Sequence, residues 1–243
     1  MAESQAVSRE PWAVGADTSC GRRHEPIGET GEMPFTPITL EGTHVRLEPL
    51  SDRHVDGLLV AATGDRSSFG YTVVPGDHES TAAYVASALE CAAAGHQVPF
   101  ATISLALGRV VGSTRFYELD PWDWTALSFG AEPVAQTGIV DRASIGHTWI
   151  DPAAQRTPVN TEAKLLMLDH AFATWGARAV RLQTDARNIR SRTAIARLGC
   201  SLDGVLRADR PATDGTVRDS AIFSILADEW PSARRRLVDR LSS

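Results

Sequence analysis

Apolar and polar residues recur along this chain with two different periods, and the switches between them mark out the elements. The run Thr43–Pro49, THVRLEP, alternates as a half-buried strand does, and Ser51 predicts the cap of a short helix reaching about Ala62. Glu79–Ala94 repeats its apolar positions at helical spacing and stops at Gly95, a favoured helix terminator. Val98–Leu107 and Val110–Tyr117 are β-rich runs joined at Gly108 and Arg109, which predicts a hairpin. Beyond them the pattern gives a strand over Ser144–Ile150, a helix over Thr161–Trp175, a strand over Ala179–Thr184 and a helix over Asn188–Leu198 closed by Gly199. Two strands, Leu202–Ala208 and Val217–Leu226, precede a basic helix over Asp228–Arg240. In the helix over Thr161–Trp175, Leu165, Leu168, Phe172 and Trp175 form one apolar stripe, leaving Glu162, Lys164, Asp169 and His170 to face outward or along its edge.

This order predicts one mixed α/β domain over residues 37–230, with a flexible tail over 1–36 and a C-terminal basic helical extension over 231–243. Between Glu118 and Arg142 runs a long irregular stretch holding Trp122, Trp124 and Phe129, longer than a compact domain needs for a connection. Its aromatics suit a substrate pocket, a cover for the sheet or the interface of a homodimer.

Composition narrows the class. With 43% hydrophobic and 22% charged residues the 243-residue chain reads as an ordinary globular protein. No apolar run approaches a membrane span and the N-terminus lacks a secretory signal, so the expected place is the cytoplasm, with no membrane partner. The three cysteines, Cys20, Cys91 and Cys200, are odd in number and far apart, which fits reduced thiols and no metal site. A net charge of -6 speaks against nucleic acid as a partner, although local basic patches can hold a phosphorylated small molecule. The arginines of Arg187–Arg197 have no aromatic platform beside them for RNA.

The chemistry concentrates in two strand-to-helix crossings. In Ser144–Phe172, SIGHTWIDPAAQRTPVNTEAKLLMLDHAF, a strand runs through a short loop into a helix start, whose unpaired N–H groups and partial positive charge suit an anion. A capped helix on a sheet would look the same. In Leu182–Arg207 a second strand ends at Asp185, Asn188 caps a helix, Gly199 closes it and a strand follows at once.

Together the pieces IGHTWI, QRTPVNTEAKLLMLDHAF, TDARNIRSRTAIARLGC, LDGVLR and DGTVRDSAIFSILADEW resemble the GCN5-related N-acetyltransferases (GNAT), in particular the RimJ/RimL group of ribosomal-protein N-terminal acetyltransferases, over about 35–230. The resemblance implies the GNAT fold, a mixed central sheet of about six to seven strands flanked by about four helices. It implies acetyl-CoA as co-substrate and direct transfer of the acetyl group to a primary amine, on a protein N-terminus or a small molecule. In that family the loop before the helix reads Gln/Arg-x-x-Gly-x-Gly/Ala, and its amides hold the pyrophosphate of coenzyme A. Gln155 matches the first position, whereas Pro158 and Asn160 replace the glycines, the one removing a donor and the other adding a side chain. The cofactor segment carried over is thus Ile150, Gln155, Arg156, Thr157, Val159, Asn160, Thr161 and Lys164, with Asn188 for the pantetheine arm.

By the same resemblance Ser191 is the acid that assists the departing thiolate, and a backbone amide of the Ser144–Ile150 strand stabilises the oxyanion. An amine base is sought among His147, Asp209, Glu118 and Asp219, where Asp219 is as well suited to tying the last hairpin together. Trp122, Trp124 and Glu118 fall in the acceptor-facing region. Cys200 reads as a small buried hydrophobe, not a nucleophile. The competing reading, kept open by Pro158, Asn160 and the lack of an obvious base, is an acetyl-CoA-binding sensor or scaffold without turnover.

Overall fold

A computed structural model describes residues 35–122 and 138–242. Eight strands form one sheet in the order β1-β2-β3-β4-β5-β6-β8-β7. They are β1 (Leu40–Glu41), β2 (Val45–Pro49), β3 (Gln97–Ser104), β4 (Arg109–Asp120), β5 (Arg142–Ile150), β6 (Ala179–Asp185), β7 (Ser201–Pro211) and β8 (Val217–Leu226). Five helices flank it: α1 (Val55–Thr63), α2 (His78–Ala93), α3 (Pro158–Asp169), α4 (Ile189–Arg197) and α5 (Trp230–Leu241). All pairs are antiparallel except β5 with β6.

The layers follow from which positions are apolar. Leu58, Ala61 and Ala62 of α1 and Val85 and Ala88 of α2 pack on one face with Ala101, Ile103 and Trp149. On the other face α3, α4 and α5 bury Leu165, Leu168, Ile195, Trp230 and Leu237 against Phe100, Phe116, Ile145, Val180 and Phe223. Strand β3, QVPFATIS, is buried at every position, its polar Gln97, Thr102 and Ser104 included. The C-terminal helix is part of this core: Trp230 stacks on Phe172, and its indole N–H donates to Asp169 Oδ1 at 3.2 Å.

Two sequence expectations are corrected by packing. The helix predicted from Thr161 to Trp175 begins earlier, at Pro158, and gives way after Asp169 to a π-turn over His170–Thr174 that tucks Trp175 against Phe35 and Phe116. Glu162 and Lys164, expected on the outer edge of that helix, are both buried, at 6% and 4% exposure. Glu162 accepts from the backbone N–H groups of Thr43 (2.8 Å), His44 (2.6 Å) and Val45 (2.9 Å), fixing α3 to the turn before β2. Gly42 has no side chain because a Cβ there would run into the Glu162 carboxylate.

Candidate active site

The sheet divides at β5. Its first four residues, Arg142–Ile145, pair with Ala179–Leu182 of β6, and there the pairing ends. Beyond that point β5 stays with β4 as far as Gly112 opposite Ile150, while β6 stays with β8 as far as Asp185 opposite Ser220. Gly146–Ile150 and Gln183–Asp185 therefore form the two walls of a wedge. The register slip between Ser113 and Arg115 accompanies the split, with His147 held at φ 49° as the bulged residue. Gly112 has no room for a Cβ against the Trp149 carbonyl, so only glycine keeps the upper half of β5 on β4.

Because β5 and β6 are parallel, the helices that follow them start at the same end, the mouth of the wedge. Thr157 caps α3 by accepting from Val159 N at 3.4 Å. Pro158 occupies the first helical position, where no intrahelical bond is lost and its fixed φ is preorganised, so this departure from the glycine pattern costs the helix start little. Asn160 carries a buried Oδ1 with no hydrogen-bond partner among the described residues. On the other wall Asn188 Oδ1 caps α4 by accepting from Ser191 N at 3.0 Å. The segment between α1 and α2 reaches across this end: Ser68 Oγ accepts from Gln155 Nε2 at 2.8 Å, and the Ser68 carbonyl accepts from Arg190 at 3.4 Å.

The remaining predicted residues fall into three places. Gln155 also donates to the Ile150 carbonyl at 2.8 Å, and Arg156, exposed at φ 62°, makes the turn into the helix. Lys164 lies away from that helix start: its Nζ donates to Thr114 Oγ1 (2.8 Å) and Thr148 Oγ1 (2.7 Å) inside the core, and burial pushes its pKa down to about 7. It supports the bulged half of β5 from beneath rather than sitting among the loop amides. Trp122 follows β4 directly and its amide donates to Asp141 at 2.8 Å, whereas Trp124 and Phe129 lie outside the described residues.

The other face of the wedge is built around Tyr117, which by sequence pattern is only the end of a strand. Tyr117 accepts from Gln183 Nε2 at 2.8 Å, bridging β4 to β6 across the gap. Its ring meets His147 edge-on at 5.3 Å, and it fills the space a side chain at Gly146 would need. Burial, with the neighbouring Glu118 charge, raises the phenol pKa and keeps Tyr117 neutral. Glu118 itself, at φ 50°, accepts from the buried Ser144 hydroxyl at 2.7 Å. Asp209 is bonded by Ser220 Oγ (2.7 Å) and Arg210 Nε (2.8 Å). Burial alone would raise its carboxyl, but those bonds and the charges of Arg210 and Arg218 outweigh it and hold it below the ordinary range. A carboxylate so stabilised is a weak base. Asp219 accepts from Ala208 N at 2.8 Å and so ties the last hairpin. Burial pushes the Cys200 thiol up to about 12, which leaves it inert.

A split between parallel strands with two helix starts at its mouth matches known proteins. Residues 44–201 match the family model described as the acetyltransferase (GNAT) domain. The chain belongs to this family. A GCN5-related N-acetyltransferase from Brucella melitensis superposes with a TM-score of 0.72 at 26% identity, covering 86% of this chain and 87% of that one. RimJ of Mycobacterium smegmatis, solved in complex with CoA-disulfide, gives 0.67 at 21% identity over 84% and 95%. The ribosomal L7/L12 α-N-protein acetyltransferase RimL gives 0.64 at 15% identity over 79% and 96%. The last two establish a shared fold. A search of curated proteins finds no match. Among the described residues the sheet has eight strands, flanked by five helices, slightly more than the expected six to seven and four; the two-residue β1 adds an edge strand and α5 joins the core.

Proposed function

We propose that this chain transfers the acetyl group of acetyl-CoA directly to a primary amine. The observation that carries the reading is the wedge between β5 and β6 with the starts of α3 and α4 at its mouth. An extended arm entering such a gap finds strand backbone freed from sheet pairing on one wall, and its phosphates find the start of α3, where N–H groups and the helix dipole favour negative charge. The CoA-disulfide held by the M. smegmatis RimJ supports a ligand of this class. The buried, unpartnered Oδ1 of Asn160 is an acceptor, so it suits an N–H of the pantetheine arm and not a phosphate oxygen.

The division of roles follows from position. The backbone N–H groups of Thr157, Val159, Asn160 and Thr161, with the Arg156 side chain beside them, hold the phosphates. Asn188 has its Oδ1 committed to the α4 cap, so its amide nitrogen is the group left to donate to the arm. Ser191 Oγ has no protein partner among the described residues and is the donor available to sulfur as negative charge develops there. His147 and Glu118, on either side of Tyr117, are the groups placed to take the proton from the amine, directly or through water.

Thiol release from acetyl-CoA, measured over a panel of primary amines, tests the reading. Ser191→Ala should lower kcat about tenfold with little change in the KM for acetyl-CoA, while Asn188→Ala should raise that KM by about the same factor. Acetyl-CoA binding without thiol release on any amine would instead favour a cofactor sensor.

A further inference from the structure

Beyond the wedge, two arginines occupy a position that the fold alone does not explain. Arg210 and Arg218 are register partners across β7 and β8, so their side chains leave neighbouring positions on one face of the sheet. Like charges placed opposite one another on adjacent strands are destabilising. Both are only partly exposed, in a chain of net charge -6. Toward the described residues each uses only its Nε: Arg210 on Asp209 Oδ2 at 2.8 Å and Arg218 on Ser220 Oγ at 2.9 Å, with Ser220 passing its own hydrogen to the same Asp209 oxygen at 2.7 Å. Their four terminal nitrogens donate to no described residue. One carboxylate thus fixes the orientation of two guanidinium groups and neutralises one of them. The other carboxylates nearby are engaged elsewhere, Asp185 with Arg187 at 2.7 Å, Asp219 with Ala208 N at 2.8 Å and Glu118 with Ser144 at 2.7 Å. By strand alternation Arg218 and Ser220 share a face of β8 with Ile222, the register partner of the Gln183 that donates to Tyr117, so the pair stands on the Tyr117 face of the sheet.

We propose that Arg210 and Arg218 form an anion clamp on the acceptor side of the wedge, so that the amine this protein acetylates carries a carboxylate or phosphate group. The inference rests on the acetyltransferase reading for the identity of the reaction, and on the arginine geometry for the charge of the acceptor. A planar guanidinium offers paired N–H groups to a carboxylate or phosphate, and two of them oriented by a shared Asp209 present that fork in advance. An anion bound there relieves the repulsion between the arginines, which gives the uncompensated charge a purpose.

The test uses the full chain and two series of acceptors of increasing length: ω-amino carboxylates against their amides, and aminoalkyl phosphates against the corresponding amino alcohols. The ratio of kcat/KM for the anionic over the uncharged member should reach about tenfold or more at the chain length that spans clamp and thioester. The series showing the larger ratio distinguishes carboxylate from phosphate. Arg210→Gln and Arg218→Gln should each bring the ratio close to one, and Arg210→Lys should keep part of it. Because a ratio is read, a partial loss of folded protein leaves it unchanged. Calorimetric binding of the same anionic probes without acetyl-CoA reports on the clamp separately. Arginine-dependent binding with no thiol release on any amine would support the clamp and sink the transferase reading. Acetylation of charged and uncharged amines with equal efficiency, unaltered by either Gln substitution, would overturn the clamp and leave the transferase standing.

Discussion

The protein should become more stable as pH rises from 7 to 9, and Lys164→Met should abolish most of that rise. Burial holds the Lys164 pKa at about 7 against an ordinary 10.5, so between those values the unfolded chain binds a proton that the folded chain does not. Stability then increases with pH, by about 1.4 kcal/mol per unit once Lys164 is largely neutral and roughly 2.5 kcal/mol between pH 7 and 9. Below pH 7 the gain is absent, since both states carry the proton and the folded state bears the cost of a buried ammonium. Above pH 9 Cys200 and then Tyr117, whose pKa values are raised, pull stability the other way, which fixes the useful window. The chemistry of the site agrees: a neutral amine has two N–H groups, and two threonine hydroxyls accept from Lys164. Urea unfolding of both proteins at pH 7 and pH 9 reads the effect. The methionine variant should gain roughly 2 kcal/mol at pH 7, where the lysine is costly, and almost nothing at pH 9. Parallel pH dependence in the two proteins would mean that Lys164 is ionised and hydrated in the folded state.

Glu162→Ala should destabilise the fold by about 3–5 kcal/mol, because it removes the carboxylate to which three backbone N–H groups donate. Glu162→Gln should fall between wild type and alanine, since an amide oxygen can take two of those donors while its NH2 opposes the third. The two variants separate loss of acceptors from loss of volume. A fall of less than 1 kcal/mol in the unfolding free energy of the alanine variant would contradict the assignment. The residue lies in the second turn of α3, so the same bonds that stabilise the fold also set the place of the candidate phosphate loop relative to β2.

Much of this architecture can be read from local rules. Gly108 closes its hairpin at φ 62°, Asn188 caps α4 and Gly199 ends it at φ 96°, each where backbone preference requires it. The order of the two strand-to-helix crossings is enough to recognise the family. What escapes a reading of the sequence is non-local. Lys164 and Glu162 look like surface residues because helical spacing sets both beside the apolar stripe, whereas burial depends on β2, β4 and β5 closing over them. Tyr117 looks like the end of a strand, and its role depends on Gln183, 66 positions away, standing across a gap that no periodicity announces. Arg210 and Arg218 meet only because the register of β7 on β8 shifts between Leu206 and Arg210, with Ala208 at φ 50°. Without that bulge the pairing would differ and the arginines would not be opposed. Pro158 illustrates the converse: against a glycine motif it looks damaging, and at the first position of a helix it is among the best residues available.

The central claim is that acetyl-CoA enters between β5 and β6. Amide hydrogen exchange of the full-length protein, with and without saturating acetyl-CoA, tests it most directly. Protection should appear together in peptides covering Gly146–Ile150, Thr157–Thr161 and Asn188–Ser191, the wall of the wedge left without a β6 partner and the two helix starts at its mouth. Unchanged exchange in all three segments, or protection confined to other parts of the chain, would contradict it.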